Sequence, residues 1–314
     1  MKYRKIGKTD IQAAPIVFGG NVFGWTLDEK ASFDILDKIS EKGLNFIDTA
    51  DIYSFWKEGN KGGESETIIG NWMQKRRNRN EMIIATKVGG AYADTSENLT
   101  KPYIKKAAED SLKRLKSDHI DLYYSHFDDN VTPVEETLSA YQELIQEGKV
   151  RFIAASNLSP DRLKASLELS KSGLPAYQAL QPHYNLMERD NYETQYAGLV
   201  KEYGLSVFPY WALAAGFLTG KYREEADLSK SVRGEGVRKY LNEKGSEVLK
   251  ALDTLAVKHE SAQASIALAW LLHKPGITAP IASATKPQHL TSLLEAIDIS
   301  LSEEDMNLLD KASS

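Results

Sequence analysis

The chain has 314 residues and no cysteine, which excludes disulfides, thiolate nucleophiles and cysteine-ligated metals. Its formal net charge of −5 is carried by mixed acidic and basic residues, leaving no basic footprint for nucleic acid. That length suits a single α/β barrel spanning 1–314 with a large core.

The first residues, KYRKIGKTDIQAAPIV, alternate around the turn residues Gly7, Lys8, Thr9 and Asp10 and predict an N-terminal β-hairpin capping the barrel bottom. MKYRKIGKTD lacks the apolar core of a secretory signal. Strands are expected at 16–18, 45–48, 82–87, 120–126, 150–156, 179–182, 206–210 and 278–281, on short apolar or β-branched runs. Helices are expected between them at 28–42, 64–77, 101–115, 134–147, 160–171, 190–203, 246–272 (broken) and 287–296. Eight strands alternating with helices need crossover connections and hence a parallel sheet, and eight such units close into a (β/α)8 TIM barrel.

Punctuation supports these divisions. Gly43, Gly148 and Gly204 follow helical runs as C-caps do, and Ser159-Pro160 and Thr132-Pro133 open the next helices. The run KRRNR at 75–79 reads as a solvated helix end. A long glycine- and charge-rich connection fills 212–245, a length usually reserved for function or mobility. The tail LSEEDMNLLDKAS opens with a capping box of Ser302 and Asp305 and predicts an extra C-terminal helix. The most apolar stretch, 205–218, is interrupted by Pro209 and Gly216 and falls short of the roughly 20 residues of a membrane helix. The chain therefore reads as soluble and cytoplasmic, with no membrane partner.

Four residues near strand ends carry the chemistry: Asp48 and Tyr53 in NFIDTADIY, Lys87 in MIIATK and His126 in IDLYYSH. In a parallel barrel such ends converge on one face. A free tyrosine has a pKa of about 10 and is a poor proton donor at neutral pH. An adjacent ammonium lowers that value, and a shift of two to three units needs roughly 3–4 kcal/mol. Lys87 is expected to supply it if Asp48 fixes its position, while His126 orients a carbonyl oxygen. Hydride must come from a bound dinucleotide, because no side chain supplies one. Singly, Asp48 fits a turn N-cap, Tyr53 a rim aromatic, Lys87 a snorkelling side chain and His126 a core histidine. Their joint placement on successive strands favours chemistry. Tyr53 and Lys57 also form Tyr-x-x-x-Lys, but Gly19-Gly20-Asn21-Val22-Phe23-Gly24 does not match the dinucleotide fingerprint that spacing requires.

With these residues in place, the chain resembles the aldo-keto reductases over nearly its whole length. NFIDTADIYS, GESETIIG, ATKVG, DLYYSHFDD, EGKVRFIAASN, QPHYN, YWALAAGFLTGKY and APIASATKPQHL match family segments in the family's order. The resemblance implies a barrel, a catalytic tetrad of Asp48, Tyr53, Lys87 and His126, and metal-free, NADP(H)-dependent interconversion of small-molecule carbonyls and alcohols. Tyr53 is then the general acid in reduction. Ser156, Asn157 and Gln181 are implied at the nicotinamide carboxamide, and Tyr210 on the nicotinamide ring. Leu213, Gly216, Leu218, Gly220 and Lys221 fall along the pyrophosphate and ribose. Ser283, Ala284, Thr285, Lys286 and His289 fall at the adenosine 2′-phosphate, although Lys286 also fits a solvated surface lysine. The chain departs from the family at Trp211-Ala212, where Ser-Pro is frequent, at Thr285, where a basic residue is frequent, and at His289 and Leu293, where glutamine and asparagine are familiar. NAD(H) use stays open, with Lys286, His289, Arg233 or Arg238 as compensating cations.

Asn21, Phe23, Trp25, Trp56, Phe127 and Trp211 are expected around the substrate, an aromatic mouth suited to a partly apolar or planar aldehyde or ketone. Lid and loop packing is the plainer role for each. A non-catalytic or slow NADP(H)-binding sensor subunit on the same barrel is the alternative function. A metal-dependent hydrolase using His126 and His183 is a weaker rival, since no His-x-His pair ends the first strand.

Overall fold

The structure, a computed structural model, describes residues 1–92 and 95–314. A short antiparallel hairpin, β1 (Arg4–Lys5) and β2 (Gln12–Ala13), comes first. Eight parallel strands follow: β3 (Val17–Gly19), β4 (Phe46–Asp48), β5 (Ile83–Val88), β6 (Ile120–Ser125), β7 (Val150–Ser156), β8 (Tyr177–Gln181), β9 (Ser206–Val207) and β10 (Ile281–Ala282). Each from β3 to β8 pairs with its successor, and β10 pairs with β3. The ring closes where Val207 bridges Ile277 and the amides of Thr278 and Ile281 donate to Val207 O and Pro209 O, each at 2.9 Å. This is the expected (β/α)8 barrel.

The last two strands are shorter than the sequence predicts. Regular pairing covers only two residues in each, because Pro209 and Pro280 lack the N–H a ladder needs. Pairing continues irregularly as Phe208 N reaches Leu180 O and Tyr210 N reaches Pro182 O.

The strands alternate with helices α1 (Glu29–Glu41), α2 (Glu64–Arg76), α3 (Lys101–Leu115), α4 (Val134–Gln146), α5 (Pro160–Leu169), α6 (Ala197–Tyr203), α7 (Glu243–Lys258), α8 (Gln263–His273) and α9 (Pro287–Asp298). The expected break within 246–272 separates α7 from α8. A π-helical turn over Tyr192–Tyr196 leads into α6. Ser159 caps α5 by accepting from Arg162 N, and Pro133 stands at the N-cap of α4 rather than inside it. The tail forms α10 (Glu303–Ala312), with both halves of the Ser302–Asp305 capping box present. The connection at 212–245 is built from 3-10 turns at Ala214–Thr219, Glu225–Lys230 and Glu235–Tyr240.

Two apolar layers hold the fold. Inside the barrel, Val17, Phe46, Ile83, Ala85, Leu122, Tyr124, Ala154, Ala179 and Phe208 fill the cylinder. The hairpin closes its lower end by contributing Ile6, Ile11 and Ala13 to the same cluster. Gly7 N donates to Ser206 Oγ and Asn45 Nδ2 to Gln12 O, which fixes the hairpin at the strands' N-terminal ends. A larger layer packs the helices onto the outside of the barrel. Gly70 marks its tightest crossing: a Cβ there would lie 2.2 Å from Arg114 O. Among the described residues, no helix is long and apolar enough to cross a membrane.

Candidate active site

Side-chain alternation decides which residues meet at the open end. Phe46 faces the interior on β4, so Asp48 does too; Ile83 and Ala85 set the same parity for Lys87 on β5. Leu122 and Tyr124 on β6 aim the next-but-one residue, His126, and Ala179 on β8 aims Gln181. The apolar filling thus ends in a polar layer at the C-terminal mouth.

Tyr53 lies off the strands, in the loop between β4 and α2. Its neighbour Ser54 is buried with φ +77, a left-handed backbone that costs a non-glycine residue about 1 kcal/mol or more. Ser54 Oγ donates to Phe23 O at 2.6 Å, while Asn60 Nδ2 donates to Ser54 O and Gly24 O. These bonds hold the loop against the turn after β3 and bring Tyr53 over the mouth.

Lys87 is fully buried and spends all three N–H donors locally. Nζ donates to Asp48 Oδ2 at 2.6 Å, Thr49 O at 2.7 Å and Tyr53 Oη at 2.9 Å. The other carboxylate oxygen of Asp48 accepts from Gln181 Nε2 at 2.8 Å. Burial works against the ammonium, yet the charges of Asp48 and Tyr53 hold Lys87 above its ordinary pKa. The expected lowering of the Tyr53 pKa is not what the site produces. Burial pushes the phenol up, and Asp48 cancels part of the opposing field of Lys87. Tyr53 is therefore a protonated donor at neutral pH. Burial, then the Lys87 charge, pushes His126 far below its ordinary value and keeps its imidazole neutral. His126 Nδ1 is buried with no hydrogen-bond partner among the described residues.

Several residues expected at a cofactor form one rim beside this centre. Ser156 Oγ donates to Gln181 O, Asn157 Nδ2 donates to His126 O, and Tyr210 Oη donates to Asn157 Oδ1 at 3.0 Å. Tyr210 stacks on His183, with centroids 5.2 Å apart and rings 14° from parallel. The amide of Gln181 is committed to Asp48 in this arrangement. Beyond Tyr210 the backbone is left-handed at Trp211, Ala214, Ala215 and Gly216, so strain is concentrated in the segment that carries Leu213. Gly220 and Lys221 follow. Leu218 is fully buried among the outer apolar layer, so its side chain lines no groove; Ala284 is buried likewise.

At the far end, Thr285 N donates to His289 Nδ1, and Lys286 is the N-cap of α9. His289 is held below its ordinary pKa by burial and then by the charges of Lys221 and Lys286, so three basic groups share this corner. A dinucleotide phosphate fits that corner, and the half-buried face of Tyr210 fits a nicotinamide ring.

The expected substrate residues divide. Trp56, Phe127 and Trp211 are exposed, and Trp25 is half-buried. Trp56 meets Tyr53 at 5.9 Å and Trp25 edge-on at 5.6 Å, while Phe127 tilts against His126 at 4.6 Å. Phe23 is different: it is fully buried and stacked on Phe18, so its ring does not face the mouth. Asn21 Oδ1 lies 2.8 Å from Ser283 Oγ, joining the turn after β3 to the end of β10.

A supporting layer escapes the strand-end pattern. Ser65 Oγ accepts from Thr49 and donates to Gly20 O, fixing the carbonyl that receives Lys87. Glu66 is fully buried between Thr86 Oγ1 and Arg114 Nε. Asp51 is buried close by, and its Oδ1 has no partner among the described residues. The motif GESE contains the first two, but only the folded neighbours reveal what they brace.

The Aldo/keto reductase family profile matches residues 15–314. The chain is 33% identical to an uncharacterized oxidoreductase, YrpG, of Bacillus subtilis (strain 168), over 99% of this chain and 95% of that protein. It is 32% identical to the aldo-keto reductase YhdN of the same organism, over 97% of this chain and 91% of the relative. An aryl-alcohol dehydrogenase [NADP(+)] of Phanerodontia chrysosporium is 31% identical, over 96% of this chain and 82% of its own. With a profile match over almost its full length, on a closed barrel bearing this polar layer, the chain belongs to the aldo/keto reductase family and is an oxidoreductase.

Proposed function

We propose that the protein interconverts aldehydes or ketones with alcohols using NADP(H), with Tyr53 giving the proton in reduction. The carrying observation is the single ammonium of Lys87 shared by Asp48, Thr49 O and Tyr53 Oη at the barrel mouth. The bound dinucleotide supplies or accepts the hydride. Tyr53 Oη donates its hydrogen bond to the carbonyl oxygen as negative charge develops there. The nearby ammonium stabilises the phenolate left behind, and Asp48 keeps that ammonium in place. Neutral His126 is a hydrogen-bonding group for the same oxygen and does not compete as an acid. Asn157, Ser156 and Tyr210 serve the nicotinamide end of the groove.

The corner of Lys221, Lys286 and His289 favours NADP(H) over NAD(H), since a 2′-phosphate adds negative charge where positive charge gathers. The exposed aromatics Trp56, Phe127 and Trp211 favour planar substrates, in keeping with the aryl-alcohol name of one relative.

The test is an NADPH fluorescence titration paired with turnover on aromatic aldehydes, in wild type and Tyr53→Phe. The expected result is unchanged NADPH affinity with reduction lost by at least about 100-fold, the scale of a positioned proton donor. Wild-type turnover by Tyr53→Phe would overturn the assignment. Tight binding by the wild type without multiple turnovers would favour a nucleotide sensor.

A further inference from the structure

His183 is left without a task by the reaction described above. Beyond the end of β8 its backbone bridges Tyr210 in parallel, with Tyr210 N donating to Pro182 O at 2.9 Å. Side chains of bridged residues stand side by side, and here the two rings stack at 5.2 Å and 14°. Trp211 meets the same imidazole at 5.1 Å, nearly perpendicular to it. Asn185 is fully buried, and its Nδ2 lies 3.3 Å from His183 Nε2 while donating to Trp211 O at 2.9 Å. The Oδ1 of the same amide accepts from Met187 N. An amide nitrogen only donates, so Nε2 of the neutral imidazole is the acceptor and the ring proton sits on Nδ1. A second proton would go onto Nε2 and break that bond, and the amide cannot turn over without giving up Trp211 O and Met187 N.

Among the described residues, two charges act on the imidazole. Glu188 raises its pKa and Lys239 lowers it; Lys239 Nζ and Tyr240 Oη both donate to Glu188 Oε1, so the two charges are paired. Burial is the larger influence and holds His183 below its ordinary value. The ring is therefore neutral at neutral pH and gains its charge on acidification. Tyr210 is half-buried, which leaves ring surface beyond the His183 stack for a nicotinamide. A tyrosine face attracts a cation, and a nicotinamide ring is a cation only when oxidised. An imidazolium stacked on the same tyrosine draws on that attraction and repels a second cation. The reduced ring is uncharged and meets neither effect.

We propose that His183 is a positioning residue that fixes the ring plane of Tyr210 and, once protonated, loosens the oxidised nucleotide more than the reduced one. The inference rests on the reductase reading above and on Tyr210 as the stacking partner of the nicotinamide.

The test titrates the full chain with NADP+ and with NADPH by stopped-flow fluorescence, from about pH 7.5 to about pH 5, across the range in which a histidine takes up its proton. The 2′-phosphate corner acts on both nucleotides alike, so its own titration cancels in the ratio of the two Kd values. In wild type the Kd for NADP+ should rise relative to that for NADPH by about 2- to 10-fold on acidification, the scale of a cation–π contact. His183→Phe keeps a ring against Tyr210 without the charge and should hold the ratio flat. His183→Gln, uncharged and able to accept from Asn185, should be as flat, so the outcome does not depend on the fold of one variant. His183→Ala removes the stack and should weaken both nucleotides at every pH, with His183→Phe recovering part of the loss. A ratio that ignores pH in wild type, or that moves equally in His183→Phe and His183→Gln, overturns the proposal. So does tighter NADPH binding by His183→Ala, which would show the imidazole occupying the nicotinamide's face of Tyr210. Turnover of an aromatic aldehyde is measured alongside: if wild type binds both nucleotides but reduces nothing, the reductase reading fails on its own, whereas turnover with a flat ratio sinks only this inference.

Discussion

Replacing Lys87 by methionine removes the one group that joins Asp48, Thr49 and Tyr53. The side chain is fully buried, and Asp48 is 2% exposed, so water cannot take the place of the ammonium. After Lys87→Met, Asp48 keeps a single side-chain donor, Gln181 Nε2 at 2.8 Å, and a buried carboxylate loses its counter-charge at 2.6 Å. Breaking one side of a buried ion pair costs about 3–5 kcal/mol. Removing both charges in Asp48→Asn/Lys87→Met leaves no isolated ion, so the double variant should be more stable than the sum of single losses by about 2 kcal/mol. The assay is urea unfolding of the four proteins followed by tryptophan fluorescence, with reduction measured alongside. Stability should recover partly in the double variant while activity does not. A Lys87→Met loss below about 1 kcal/mol, or strict additivity in the cycle, would refute the account of Lys87 as a charge whose pairing the fold requires.

Two further perturbations probe the layer behind the site. Burial and the charge of Glu66 push the Asp51 carboxyl up to about 8. Because this exceeds the ordinary value of about 4, the folded chain holds a proton that the unfolded chain releases. The resulting stabilisation is complete below about pH 4 and is lost as pH rises through about 8, with a slope of up to about 1.4 kcal/mol per pH unit. Asp51→Asn mimics the protonated shape and should flatten that decline; parallel falls in wild type and variant between pH 5.5 and 8.5 would refute it. Gly70→Ala should destabilise by about 2 kcal/mol despite the better helix propensity of alanine, because the new Cβ meets Arg114 O. An unchanged or higher urea midpoint would show that α2 and α3 separate at little cost.

What the sequence discloses follows how locally each feature is encoded. The polar layer was legible because strand alternation is strict: once Phe46, Ile83 and Leu122 face inward, Asp48, Lys87 and His126 have no other direction to take. The hairpin, the broken helix and the final capping box were likewise written in neighbouring residues. Strand ends at Pro209 and Pro280 were less legible, because a ladder ends where a partner's N–H is missing rather than where apolar character stops. Phe23 illustrates the same limit, since nothing in GGNVFGW distinguishes a ring stacked on Phe18 from one facing a ligand.

The pKa of Tyr53 depends on its folded surroundings rather than on one neighbouring residue. A lysine beside a tyrosine reads as an activating charge, but the carboxylate that holds the lysine also weakens its field, and burial adds a larger opposing effect. Tyr53 thus keeps its proton at neutral pH. His126 responds to the same surroundings: burial first, and then the Lys87 charge, holds its imidazole far below its ordinary pKa. The Lys87 ammonium, 2.6 Å from Asp48, thus acts on both neighbours, opposing burial at Tyr53 and adding to it at His126.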